Sequence, residues 1–284
     1  DLLRVSASPT LAPVRGAGTA PRGLTPRRRL FRRSVYPGAH SVTAHMPEAK
    51  PNAPEESLAG ILWTVALTTA LVVAAAWWVP AAHAATAVGI VFLGAVYLKL
   101  LHRGSDEAIR RAGLGLAGLL ESAPIEPRRL VREGLRALLW TAAVMLVVFP
   151  PFWVGFHQWW APTVAFRPPA WPSWSELGGQ LLVVALPEEA FYRGYVLTAL
   201  ERRWPPRSRW FGVGLGRAWL VSSLFFALVH VMTQPNPARL AVFFPALLFA
   251  WVRLRTGGIG AAVLLHAASN VFASYLAQGY GLLR

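Results

Sequence analysis

The sequence predicts an all-α polytopic membrane bundle of about seven transmembrane helices. Three observations carry this. Of 284 residues, 55% are hydrophobic and only 14% are charged, where a soluble domain has roughly a quarter charged. The apolar residues fall in runs long enough to cross a bilayer, and the basic residues collect in alternate connections. Thirteen Trp residues fit membrane–water boundaries.

A hydrocarbon core needs about 20 largely apolar residues per helix. That ruler gives spans at Leu58–Pro80, Ala84–Leu101 and Leu135–Phe156, with a bend expected at Pro150-Pro151. Further spans follow at Leu177–Leu200, Ala218–Thr233, Ala238–Val252 and Ile259–Leu276. Arg110, Arg128 and Arg132 lie between spans two and three, Arg202, Arg207 and Arg217 between four and five, and Arg253 and Arg255 between six and seven. The connection from His157 to Glu176 holds only Arg167 as a basic Lys or Arg, and that from Gln234 to Pro237 holds no charge. The positive-inside rule then puts the N-terminus in the cytoplasm and the C-terminus outside, as expected for a bacterial inner-membrane protein. The mixed-charge linker Ser105–Arg136 suits a surface-lying amphipathic helix.

The chain divides into residues 1–45, a segment 46–134 holding two spans and the linker, and a five-span catalytic bundle at 135–284. Residues 1–45 are rich in Arg, Pro and Gly, without apolar periodicity or a signal-peptide layout. Two readings fit them: a disordered basic arm, or a mis-called start whose initiator is Met46, with the second favoured slightly. The net charge of +15 is assigned to topology and contact with anionic lipids rather than to nucleic acid, since no zinc-finger or basic–aromatic pattern is present. The absence of Cys excludes disulfides, Cys-ligated zinc and a Cys nucleophile.

Span four reads LLVVALPEEAFYRGYVLTAL and buries Glu188, Glu189 and Arg193. A charge near a helix centre costs about 2.5–3.5 kcal/mol on insertion scales. Glu189 and Arg193 are four apart and pair on one face. Glu188 points about 100° away and is left for another surface. Pro187 removes a helical hydrogen bond, so the backbone there is expected to line a polar cavity. Span five carries Phe226 and His230 one turn apart, and span seven His266 and Asn270. A buried ion pair locking two helices and ordinary interhelical hydrogen bonds are the competing explanations. By these spans Glu188 lies mid-membrane and His230 nearer the outer face, so a shared site requires span five to be kinked or shifted.

Together these residues can build a hydrolytic site. A buried carboxylate can take a proton from water beside a His, while a second His and an amide stabilise the oxygen of a tetrahedral intermediate. No Ser sits in a G-x-S-x-G setting. Zinc held by the same carboxylates and His residues is the alternative, but no H-E-x-x-H supports it, and the expectation is a site without a metal cofactor.

Glu188-Glu189-x-x-x-Arg193, Phe226-x-x-x-His230 and His266-x-x-x-Asn270 resemble the three motifs of the CAAX protease and bacteriocin-processing (CPBP) family, which includes type II CAAX prenyl endopeptidases. The resemblance covers about Leu177 to Leu276. It implies that Glu188 activates water with His230, that His266 and Asn270 hold the oxyanion, that Glu189 and Arg193 support the site, and that Phe226 packs beside it. It further implies an intramembrane endopeptidase acting near the C-terminus of a hydrophobic or lipidated peptide or protein. A non-cleaving immunity or scaffold protein is the alternative.

Overall fold

The computed structural model describes residues 56–102, 104–122 and 124–282. The expected arm or mis-called start at 1–45 lies outside the described residues. The described residues form eight helices, seven of them at the expected spans. The first, α1, is Leu58–Trp78, capped by Ser57, whose hydroxyl accepts the Gly60 N–H. After Pro80, α2 runs Ala81–Leu101. The short α3 (Asp106–Arg111) leads to α4 (Pro127–Trp160). The next helix, α5, covers 174–203 and opens with a capping box at Ser173 and Glu176. Then come α6 (Arg217–Thr233), α7 (Pro237–Thr256, beginning with a 3-10 turn) and α8 (Gly260–Gly279). A two-stranded hairpin, β1 (Ser208–Trp210) and β2 (Val213–Leu215), joins α5 to α6.

Among the described residues five helices are long and apolar enough to cross a membrane: α1, α2, α4, α7 and α8. With the charged α5 and the 17-residue α6 they occupy the seven expected spans. The chain is an integral membrane protein with an all-α bundle. Ile61 and Val65 of α1 and Phe92 of α2 share one core with Phe191, Tyr195 and Leu197 of α5. Spans one and two thus belong to the same packed body as the later five.

The basic connections meet at one end. Arg253 donates to the Arg111 carbonyl, Arg136 to the Arg255 carbonyl, and Arg203 to the Glu56 carbonyl. The expected amphipathic linker helix is not there. The helix stops after Arg111 because Gly113 and Gly118 take left-handed φ values of 69° and 104°. The turn between them drives Leu114 into the core, against the space left by Gly194. The Ile259 N–H bonds the Gly113 carbonyl at 3.0 Å, closing this plug onto α8. Arg129, through its hydrogen bonds to Glu121, holds that carboxyl below the usual carboxylate range, so the pair beside the plug is ionised at neutral pH. From Pro127 the chain is already α4, which runs unbroken through Pro150 and Pro151.

The backbone of α5 is unusual. Stretches Gly179–Ala185 and Ala190–Val196 take π-helical bonding on either side of Leu186–Glu189. Pro187 has no N–H to offer Val183, its partner four residues back. The Val183 carbonyl instead faces α2 at Gly89, where an added Cβ would stand 2.8 Å from it and 3.3 Å from the Pro187 ring. Gly89→Ala should therefore lower stability by about 1–3 kcal/mol. Gly94→Ala, with nothing within 4 Å of the new methyl, should not. Thermal unfolding of the two variants in one detergent compares them.

Candidate functional site

Glu189 and Arg193 have no exposed side-chain surface, and they stand 3.0 Å apart as an ion pair. The expected pairing at i,i+4 is present despite the π-helical turn. Two further features of Arg193 compensate its burial. Its Nη2 donates to the Ala246 carbonyl at 3.0 Å, and its guanidinium lies over the Phe226 ring at 4.3 Å and the Phe249 ring at 5.4 Å.

The same Glu189 oxygen has a second partner that the spacing did not reveal. His266 Nδ1 lies 2.9 Å from Glu189 Oε1, and its ring stacks on Phe249 at 4.9 Å. Glu189 thus links α5 to α8 through His266, as well as fixing Arg193. The second nitrogen of His266, Nε2, is 3.9 Å from Glu188 Oε2.

His230 approaches Glu188 from α6. Its Nδ1 is 2.7 Å from the Phe226 carbonyl. A carbonyl only accepts, so Nδ1 carries the hydrogen, and in the neutral ring Nε2 presents a lone pair. That Nε2 is also 3.9 Å from Glu188 Oε2. The expected mismatch in depth is absent, and α6 is neither broken nor displaced from its expected position. Glu188 is fifteen residues from the Arg203 end of α5 and His230 thirteen from the Arg217 start of α6. At 1.5 Å per residue the two differ in height by about 3 Å.

Glu188 Oε2 has no hydrogen-bond partner among the described residues, although it is buried. Glu188 keeps 12% of its side-chain surface exposed and His230 18%, which opens them to a cavity of about 1190 Å3. That exceeds the usual 300–1,000 Å3 of small-molecule pockets and has room for a peptide segment. His266 and Asn270 of α8 line it too, as do Ala84 and Val88 of α2 and Phe149 of α4.

Asn270 Nδ2 donates to Gln180 Oε1 at 3.1 Å. Gln180 also faces the cavity. Sequence reasoning passed over it, because a lone Gln near a helix end is an unremarkable polar residue. Phe249 was also missed, since a Phe in an apolar span carries no signal. Phe226 lies where it was expected, with its ring 4.5 Å from His230 and 5.6 Å from His266. The donors for the zinc alternative are Glu188, His230 and His266. Among the described residues no group of three or more His, Cys, Asp or Glu side chains stands in a metal-holding cluster.

Glu189→Gln should cost about 3–5 kcal/mol of stability, because it strands Arg193 in the core. Glu188→Gln removes a carboxylate that no partner satisfies and should leave the melting temperature close to wild type. Thermal unfolding of both variants in detergent checks the contrast.

Residues 169–272 match the family described as Type II CAAX prenyl endopeptidase Rce1-like. The match spans α5 to most of α8 and contains all three motifs. No curated protein and no solved structure matches the chain.

Proposed function

We propose that this chain, whose residues 169–272 match the type II CAAX prenyl endopeptidase Rce1-like family, cuts a peptide bond near the C-terminus of a hydrophobic or lipidated peptide or protein by glutamate-activated water. The family match over residues 169–272 supports a CAAX-type intramembrane endopeptidase in general terms. The mechanism rests on one observation: an unpartnered buried carboxylate oxygen stands 3.9 Å from each of two imidazole nitrogens. Both gaps are too long for direct hydrogen bonds; the one to His230 suits a bridging water, and the one to His266 leaves its Nε2 for the substrate oxygen.

In this reading the water gives one hydrogen to Glu188 Oε2 and directs the other to the His230 Nε2 lone pair. Its oxygen then attacks the scissile carbonyl carbon as Glu188 takes the proton. His266 acts on the opposite side. With Nδ1–H donated to Glu189, a neutral His266 ring would turn a lone pair toward the developing oxyanion. In this reading His266 therefore acts with both ring nitrogens protonated, Nδ1–H on the Glu189 carboxylate and Nε2–H turned to the oxyanion as a charge-assisted donor. Asn270 has two amide hydrogens, and Gln180 holds one, so the other is aimed at the same oxygen. When the intermediate collapses the C–N bond breaks, and the protonated Glu188 returns its proton to the leaving amine. The orientation proposed is N-terminus in the cytoplasm of a bacterial inner membrane, with the Arg-rich end inward.

Cells carrying wild-type protein and the Glu188→Gln variant are to be compared by the C-termini of their membrane and surface proteins. Uncut precursors should accumulate only in the variant. Identical termini, with the variant stably inserted, would replace cleavage by a peptide-holding immunity or scaffold role. Loss of activity in chelator that zinc restores would replace the glutamate mechanism. Gln180→Leu frees the Asn270 amide to rotate and should lower kcat about tenfold or more with little change in KM, as steady-state kinetics on an identified substrate would show.

A further inference from the structure

One charge in the cavity has no part in the mechanism. Arg239 sits in the 3-10 turn Pro237–Val242 that opens α7. The hydropathy reading absorbed it into span six, although a guanidinium among apolar residues calls for a partner. It lines the same cavity as Glu188, His230 and His266. Among the described residues no carboxylate pairs with it, whereas Arg110, Arg111, Arg129 and Arg193 each pair with a Glu. Among the described residues its one side-chain hydrogen bond is to the neutral Gln234 Oε1.

The backbone holds Arg239 in a fixed relation to the site. The Gln234 N–H bonds the His230 carbonyl at 3.2 Å, and the Arg239 N–H bonds the Asn236 carbonyl at 2.9 Å. Asn236 in turn caps the 3-10 turn by accepting the Ala238 N–H. A guanidinium offers five donors, and Gln234 occupies only one edge. Arg239 lines a cavity whose other lining is largely apolar.

We propose that Arg239 is the subsite for the C-terminal carboxylate of the bound peptide. The proposal rests on the endopeptidase reading and names what limits its substrates. With the scissile carbonyl at Glu188 and the terminal carboxylate at Arg239, cleavage falls a fixed few residues from the end of the chain. A peptide extended beyond that point, or one with its terminus neutralised, loses the contact. An anionic lipid phosphate offers Arg239 similar chemistry, and the test separates the two sources.

The test is equilibrium binding of acetylated tetra-leucine, as free acid and as C-terminal amide, to the full chain in phosphatidylcholine nanodiscs. It needs no turnover, so failure of the protease reading does not decide it. Wild type should bind the acid about tenfold or more tightly than the amide. Arg239→Gln should bring the ratio near one by weakening the acid alone, and Arg239→Lys should keep part of the preference. Each ratio is taken within one variant, so a general loss of folded protein cancels. Equal affinities in wild type, including no detectable binding of either peptide up to about 1 mM, would overturn the proposal. So would an undiminished preference in Arg239→Gln. A variant that loses only affinity for phosphatidylglycerol-containing nanodiscs would assign Arg239 to lipid instead and equally overturn it.

Discussion

A guanidinium and a carboxylate sealed from solvent, Arg193 and Glu189, hold the centre of this bundle. An isolated charge there would cost several kcal/mol, and contacts from other helices offset part of that cost, although Glu189 Oε2 and Arg193 Nε keep no hydrogen-bond partner among the described residues. The partners come from three other helices. Ala246 of α7 supplies a carbonyl, Phe226 of α6 and Phe249 of α7 supply ring faces, and His266 of α8 supplies an imidazole on the Glu189 oxygen. The contacts of one buried pair therefore tie together α5, α6, α7 and α8. His266 is placed by the same contacts, so the group facing Glu188 is preorganised by what stabilises the fold.

The two adjacent carboxylates divide the work. Helical rotation sends Glu189 into the core and Glu188 toward the cavity, and the partners on each side differ accordingly. Glu189 Oε1 is taken up by Arg193 and His266. Glu188 has an unpartnered oxygen and two imidazole nitrogens just beyond direct reach. The π-helical turns around Leu186–Glu189 allow this segment to lie close to α2, and Gly89 makes that approach possible by leaving room for the Val183 carbonyl. Spans that carry no motif, α2 and α4, supply apolar cavity wall through Val88 and Phe149.

Much of this was legible in the sequence because it rests on local periodicity. Hydropathy gave the spans, i,i+4 spacing gave the Glu189–Arg193 pair, and the rarity of charge in apolar runs drew attention to Glu188, His230, His266 and Asn270. What was not legible depends on contacts between distant segments. Nothing in the spacing says that Glu189 reaches His266, that Gln180 meets Asn270, or that Leu114 plugs the space at Gly194. The linker was misread because apolar residues at helical spacing outweighed Gly113 and Gly118, which end the helix. The supposed difference in depth between Glu188 and His230 came from measuring each span against the bilayer. Counting both from their shared hairpin end removes it.

The central claim is that Glu188 and His230 hold a water on one side of the scissile carbonyl while His266 and Asn270 face its oxygen on the other. A cryo-electron microscopy structure of the Glu188→Gln variant with an uncut substrate peptide bound tests this most directly. The account predicts the scissile carbon about 3–3.5 Å from a water on His230 Nε2, with the carbonyl oxygen turned to His266 Nε2 and the Asn270 amide. A peptide bound in the cavity with that oxygen turned away from α8, or bound outside the cavity altogether, would contradict it.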